Sequence, residues 1–181
     1  MKKNSVIAAL LILLTFNALA QDSIPDKLKA DVFSLGMGIG LDYGGIGYSA
    51  LCYPQRNIGL FAACGYAFAG ISYNTGLKIR YPMKNPSAKS YPYVLGMYGY
   101  NAVVLMDREE YNRIFYGLSL GCGLDYRPNP DKNAYWSFSL IVPFRDPEFD
   151  NYIESLENRG AEFNMKPFPV LVSVGCRLII K

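Results

Sequence analysis

Six polar side chains carry most of the chemistry this sequence could do: Lys78, Arg80, Asp125 and Arg177, with Asp42 and Asn74 in the same phase. Each lies in a stretch where large apolar and small residues alternate, and each falls among the small ones. An extended backbone would therefore aim all six to one side of a sheet. Gathered in a low-dielectric lumen, the cluster Lys78, Arg80, Asp125 and Arg177 is expected to neutralise itself as an internal salt-bridge plug; the alternative is a site for an anion or small solute.

Other chemistry is excluded more firmly. The chain has no histidine, which closes serine–histidine hydrolysis, histidine-dependent phospholipase or protease chemistry and histidine-rich zinc sites. Gly45-x-Gly47-x-x-Ala50 matches a dinucleotide fingerprint by letter, but Leu51-Cys52-Tyr53-Pro54 follows in place of the helix whose N-terminus would hold a pyrophosphate. Glu109-Glu110 stands beside Arg108 and Arg113 in a polar link and reads as a solvated loop. No enzyme, cofactor or metal site is expected. Lys+Arg 18 against Asp+Glu 15 gives +3 with no basic run, so nucleic-acid binding is rejected as well.

The elements that must position these residues are strands. Apolar residues make up 51% and charged residues 18%, too apolar for a disordered chain. From Asp31 onward the period is two. Phe33, Leu35, Met37, Ile39, Leu41 and Tyr43 oppose Ser34, Gly36, Gly38, Gly40 and Asp42, and similar alternation marks eight runs of roughly 8–14 residues. The fifth, near residues 91–104, is irregular: Tyr93, Leu95 and Met97 oppose Val94, Gly96 and Tyr98 without a clear phase. Because the second face is small and only mildly polar, it suits a narrow lumen better than open water. The inward glycines would leave space in that lumen.

Residues 1–20 read as a secretory signal, with Lys2 and Lys3, an apolar stretch from Val6 to Phe16, and Ala18-Leu19-Ala20 before Gln21. Residues 21–30 are then an N-terminal periplasmic segment and 31–181 a single β-barrel domain. Cys52, Cys64, Cys122 and Cys176 fall on the apolar phase, where free thiols are favoured over the two disulfides that export would also permit. Short links such as Gly44-Gly45 and Pro54-Gln55-Arg56-Asn57 predict an up-and-down antiparallel order. Before the last strand, Asp146 can cap a helix running to Arg159, with Pro147 at its first position and Gly160 as its stop. Phe149, Tyr152, Ile153 and Leu156 form one apolar stripe on it, read as a lid packed over the barrel mouth or into the outer interface.

Even strand number, alternation, short turns and an export signal together resemble the small eight-stranded bacterial outer-membrane β-barrels of the OmpA and OmpX type. The resemblance covers residues 31–181 and rests on pattern. It implies an all-β transmembrane barrel of about eight strands with one helix in the link before the last. It also implies a Gram-negative-type outer membrane as location, outer-membrane lipid as surroundings and an extracellular or envelope protein as partner. The expected role is structural or surface-interacting; a small-solute binding or transport barrel with a Gly-lined lumen is the alternative. A soluble periplasmic ligand-binding barrel would carry the same pattern with its faces inverted.

Overall fold

The computed structural model describes residues 32–81, 88–106, 108–129, 132–159 and 168–180. The leader, residues 21–30, the Gly160 helix stop and parts of three links lie outside them. Eight strands close into one antiparallel barrel in sequence order: β1 Phe33–Gly40, β2 Gly45–Cys52, β3 Ile58–Tyr66, β4 Ile71–Arg80, β5 Ser90–Val104, β6 Arg113–Tyr126, β7 Ala134–Pro143 and β8 Leu171–Ile180. β1 pairs with both β2 and β8, so no edge is left within the barrel. The single α-helix described, α1 Pro147–Glu157, lies between β7 and β8, and the Asp146 carboxylate caps it by accepting from the Glu148 N–H at 2.9 Å. No described helix is long and apolar enough to cross a membrane.

Alternation sorts the side chains as the sequence implies. Leu35, Leu60, Leu120, Leu140 and Val172 stand on the outer face, whereas Ser34, Ser49, Ser137 and Ser173 are buried inside. All four cysteines are free and lie on the outer phase.

Two elements depart from simple alternation. β1 stops at Gly40, and Leu41–Tyr43 forms a 3-10 turn whose three residues are all buried. Leu41 and Tyr43 therefore do not continue the outer face of β1; they fold into the lumen with Asp42. Glycines make that bend: Gly40, Gly44 and Gly45 have φ of 134°, 68° and 89°, a region closed to most side chains. The second departure is in β5, where the register against β6 slips between Tyr100 and Ala102, leaving Asn101 as a bulge. Before the bulge Tyr93, Leu95 and Met97 face inward; after it the buried residues are Ala102 and Val104.

β5 and β6 are also the longest strands. β4 pairs with β5 only as far as Gly99, and β7 pairs with β6 only from Ser119. Residues 100–104 and 113–118 thus form a two-stranded ribbon beyond the rim, at the end away from the N-terminus. α1 packs on it: Phe149 and Leu156 are buried with Ala102, Val104 and Phe115, and Tyr152 and Ile153 lie against the same cluster. The Phe115 and Phe149 rings meet edge to face at 5.1 Å, and the Tyr152 hydroxyl donates to the Tyr111 carbonyl at 2.9 Å.

Candidate functional site

The lumen holds two polar groups at different heights. Nearest the N-terminal end, β4 supplies Lys78 and Arg80, and β6 supplies Asp125. Lys78 Nζ donates to Asp125 Oδ1 at 2.7 Å, while Arg80 Nε and Nη2 reach Oδ2 at 2.9 and 2.7 Å. All three residues are buried. Two cations thus share one carboxylate, and aromatic faces receive the excess positive charge: Lys78 Nζ lies 3.6 Å from the Tyr93 ring centre and the Arg80 guanidinium 4.3 Å from that of Tyr53. Ser137 accepts a further bond from Lys78 at 3.3 Å, and the Tyr135 hydroxyl accepts from Arg80 at 3.1 Å.

Arg177 does not join this pair. Buried on β8, it donates through Nη2 to the Ser49 hydroxyl at 2.8 Å and lies 5.5 Å from the Tyr43 ring centre; Nε and Nη1 have no hydrogen-bond partner. The Leu41–Tyr43 turn forms the second group. Asp42 Oδ2 accepts from Ser139 at 3.0 Å, while Oδ1 has no partner. Asn74 donates its amide to the Leu41 carbonyl and, at 3.1 Å, to that of Tyr100; Ser72 donates to the Gly44 carbonyl. A void lined by Asp42, Phe61, Lys78, Leu95 and Arg177 separates the two groups, with room for about one water molecule.

The glycine space expected in the lumen is filled. A Cβ on Gly175 would stand 2.2 Å from the Tyr43 hydroxyl, one on Gly36 2.7 Å from Arg177 Cγ, and one on Gly123 2.5 Å from the Tyr93 hydroxyl. Each of these inward glycines accommodates a large side chain from elsewhere in the wall or from the turn. With Leu41, Leu51, Phe61, Leu95 and Ile141 packed among them, the interior is a core. Of the residues singled out from sequence, Lys78, Arg80 and Asp125 meet directly, Asp42 and Asn74 meet through the turn, and Arg177 stands between the groups. The four apolar residues of α1 lie together on the ribbon. Tyr43, Tyr93, Tyr135 and Ser139 are not singled out by the sequence: Tyr43 continues the outer face of the first run, Tyr93 lies in the run without a clear phase, and Tyr135 and Ser139 fall on an inner phase but carry no charge.

No family model matches the sequence, and no curated protein matches it. Among solved structures, the chain is similar to the N-terminal β-barrel domain of Pseudomonas aeruginosa OprF, at 13% identity and a TM-score of 0.48. The match covers 82% of this chain and 96% of that one.

Proposed function

We propose that this chain is a non-catalytic integral barrel of a bacterial outer membrane, with a structural or surface-interaction role. The observation that carries the reading is the inversion of the usual protein surface. Met37, Ile39, Tyr48, Leu118 and Val172 are each more than half exposed on the outside, while Lys78, Arg80, Asp125 and Arg177 are buried inside. In water such a surface would be a contiguous apolar patch far larger than a soluble monomer shows. In hydrocarbon it is the expected one, and a closed barrel is one of only two architectures that satisfy every backbone group there. The soluble alternative required large apolar side chains such as Leu35, Leu120 and Val172 to point into the lumen, and they point out.

The internal pairing of the lower cluster supports a non-catalytic role. The cations of the lower cluster and Asp125 spend their bonding capacity on one another, on Ser137 and on Tyr135. With the N-terminus in the periplasm, the ribbon and α1 stand outside the cell, as the surface available to a protein partner.

Fractionation of cells expressing the chain tests the reading. The protein is expected in the outer-membrane pellet and in detergent extracts of it; recovery from a detergent-free periplasmic extract would overturn it.

A further inference from the structure

We propose that the outer end of the barrel is sunk on one side: the tips of the β1–β2 and β3–β4 hairpins end in the headgroup–acyl boundary of the surrounding leaflet, and lipid covers them. This rests on the membrane reading above and adds where the surface of that membrane runs.

The make-up of the rim carries the inference. At the end away from the N-terminus, the β5–β6 link exposes Arg108 and Glu110, and the helical link before β8 exposes Glu148, Asp150 and Glu154. The other two connections at this end present no charge. From Tyr66 to Ile71 the intervening residues are Ala67, Phe68, Ala69 and Gly70, and between Gly40 and Ile46 the one charged residue, Asp42, is buried in the lumen. What these tips expose is apolar: Ile39 and Ile46 on one hairpin, Tyr66 and Phe68 on the other, and Ile71, which at 78% is the most exposed large apolar residue described. Short turns in this chain are not apolar as a rule. At the opposite end Gln55 and Arg56 are exposed, as are Asn129 and Lys132.

The backbone of the tips suits a place with little water. Ala67 N–H donates to the Gly70 carbonyl at 2.9 Å, Ala69 N–H to the Ala67 carbonyl at 2.8 Å and Gly44 N–H to the Leu41 carbonyl at 2.9 Å. The polar side chains nearest the tips, Ser72 and Asn74, turn inward and donate to the carbonyls of Gly44 and Leu41. Phe68 is the one non-glycine residue with positive φ among the described residues, at 63°, where a bulky side chain is rare and a turn in water would favour glycine or asparagine. Its ring stands exposed, edge to face with that of Tyr66 at 6.4 Å, and extends the apolar outer surface of β3 past the last strand residue.

That continuity identifies the cover as lipid. Leu60, Tyr73, Met37 and Tyr48 lie on the outer face of the same four strands directly below the tips, so a protein seated on the tips would have to displace lipid from the strands beneath. Aromatic and aliphatic side chains free of charge are what a headgroup–acyl boundary accepts.

Tryptophan fluorescence in liposomes tests this, because Trp136 is the chain's single tryptophan and stands on the outer face at the opposite end, near the start of β7. Three chains are compared: the wild type, Phe68→Trp with Trp136→Phe, and Glu110→Trp with Trp136→Phe. The quenchers are phosphatidylcholine brominated on the upper acyl chain, in the bilayer, and acrylamide, in the water. The indole at position 68 is expected to be quenched by brominated lipid as strongly as wild-type Trp136, to emit to the blue of the indole at position 110, and to be quenched several-fold less by acrylamide. Equal access of acrylamide to positions 68 and 110 would overturn the proposal by placing the tip in water. Protection of position 68 from both quenchers would overturn it by showing a protein cover, such as a second copy of the chain. Wild-type Trp136 untouched by brominated lipid would instead overturn the membrane reading, and the sunken rim with it. Should Phe68→Trp fail to fold, Ile71→Trp in the same background carries the comparison.

Discussion

Lys78 and Asp125, 47 positions apart in sequence, meet at 2.7 Å inside the barrel, and Arg80 closes on the other oxygen of the same carboxylate. Removing the shared anion would leave two buried cations facing each other. Asp125→Asn is therefore expected to cost roughly 3–5 kcal/mol, as breaking a buried pair does. Adding Lys78→Met should recover part of that loss by deleting one stranded charge. Urea titration of the barrel in liposomes measures both, and an Asp125→Asn chain as stable as the wild type would show that the cluster holds nothing together.

Tyr43 and Gly175 provide a second test, because all three near contacts of a Cβ at position 175 are with the Tyr43 ring and hydroxyl. Gly175→Ala is expected to destabilise by about 1–3 kcal/mol through overpacking. Combined with Tyr43→Ala, the same substitution should become nearly neutral, since the ring it strikes is gone. The coupling is read from a double-mutant cycle. Additive losses would mean that the alanine is resisted by the backbone and not by the turn.

The outer face invites an arginine scan. Leu140 is 52% exposed near the middle of β7. Placed in hydrocarbon, Leu140→Arg should cost roughly 2–4 kcal/mol, with a smaller penalty for Ile180→Arg at the end of β8. In water an exposed leucine on a strand tolerates arginine at almost no cost. A flat response across depth, measured by reversible unfolding in liposomes, would contradict membrane embedding.

Much of this architecture was legible in the sequence, and the exceptions have physical causes. Strand alternation is a local signal, so eight strands, their faces and the Asp146 cap with Pro147 at the first turn could be read directly. Lys78, Arg80 and Asp125 could be placed together because three charges on inward phases of a narrow barrel have nowhere else to go. The β5 phase was not readable, since its inward residues Tyr93, Leu95 and Met97 are as large as the outward Val94 and Tyr98, and farther on the Asn101 bulge shifts the alternation by one residue. Leu41 and Tyr43 were assigned outward because their spacing continues that of β1. Only the positive φ of Gly40 and Gly44, invisible in a pattern of letters, breaks the strand there. The same break explains Arg177: the turn interposes Tyr43 near its guanidinium, and the cluster forms without it.

The last prediction concerns α1. Its apolar stripe rests on the β5–β6 ribbon through Phe149 and Leu156, while the barrel below is already filled by the Leu41–Tyr43 turn. An isolated helix of this length is marginal in water, so its order must come from that contact. A two-stranded ribbon is equally marginal alone. Leu156→Ser is therefore expected to release both together, removing a buried leucine from the cluster at a cost on the order of 2–5 kcal/mol to that local unit. Hydrogen exchange should speed at the amides of Val104 and Phe115 and along α1, with the amides of β1, β2 and β3 unchanged. Replacing Tyr152 with Phe, which deletes only the bond to the Tyr111 carbonyl, should produce the same pattern at smaller amplitude. If Leu156→Ser speeds exchange through the whole barrel, the ribbon is not a separate unit. If it changes nothing, the helix does not depend on its apolar stripe.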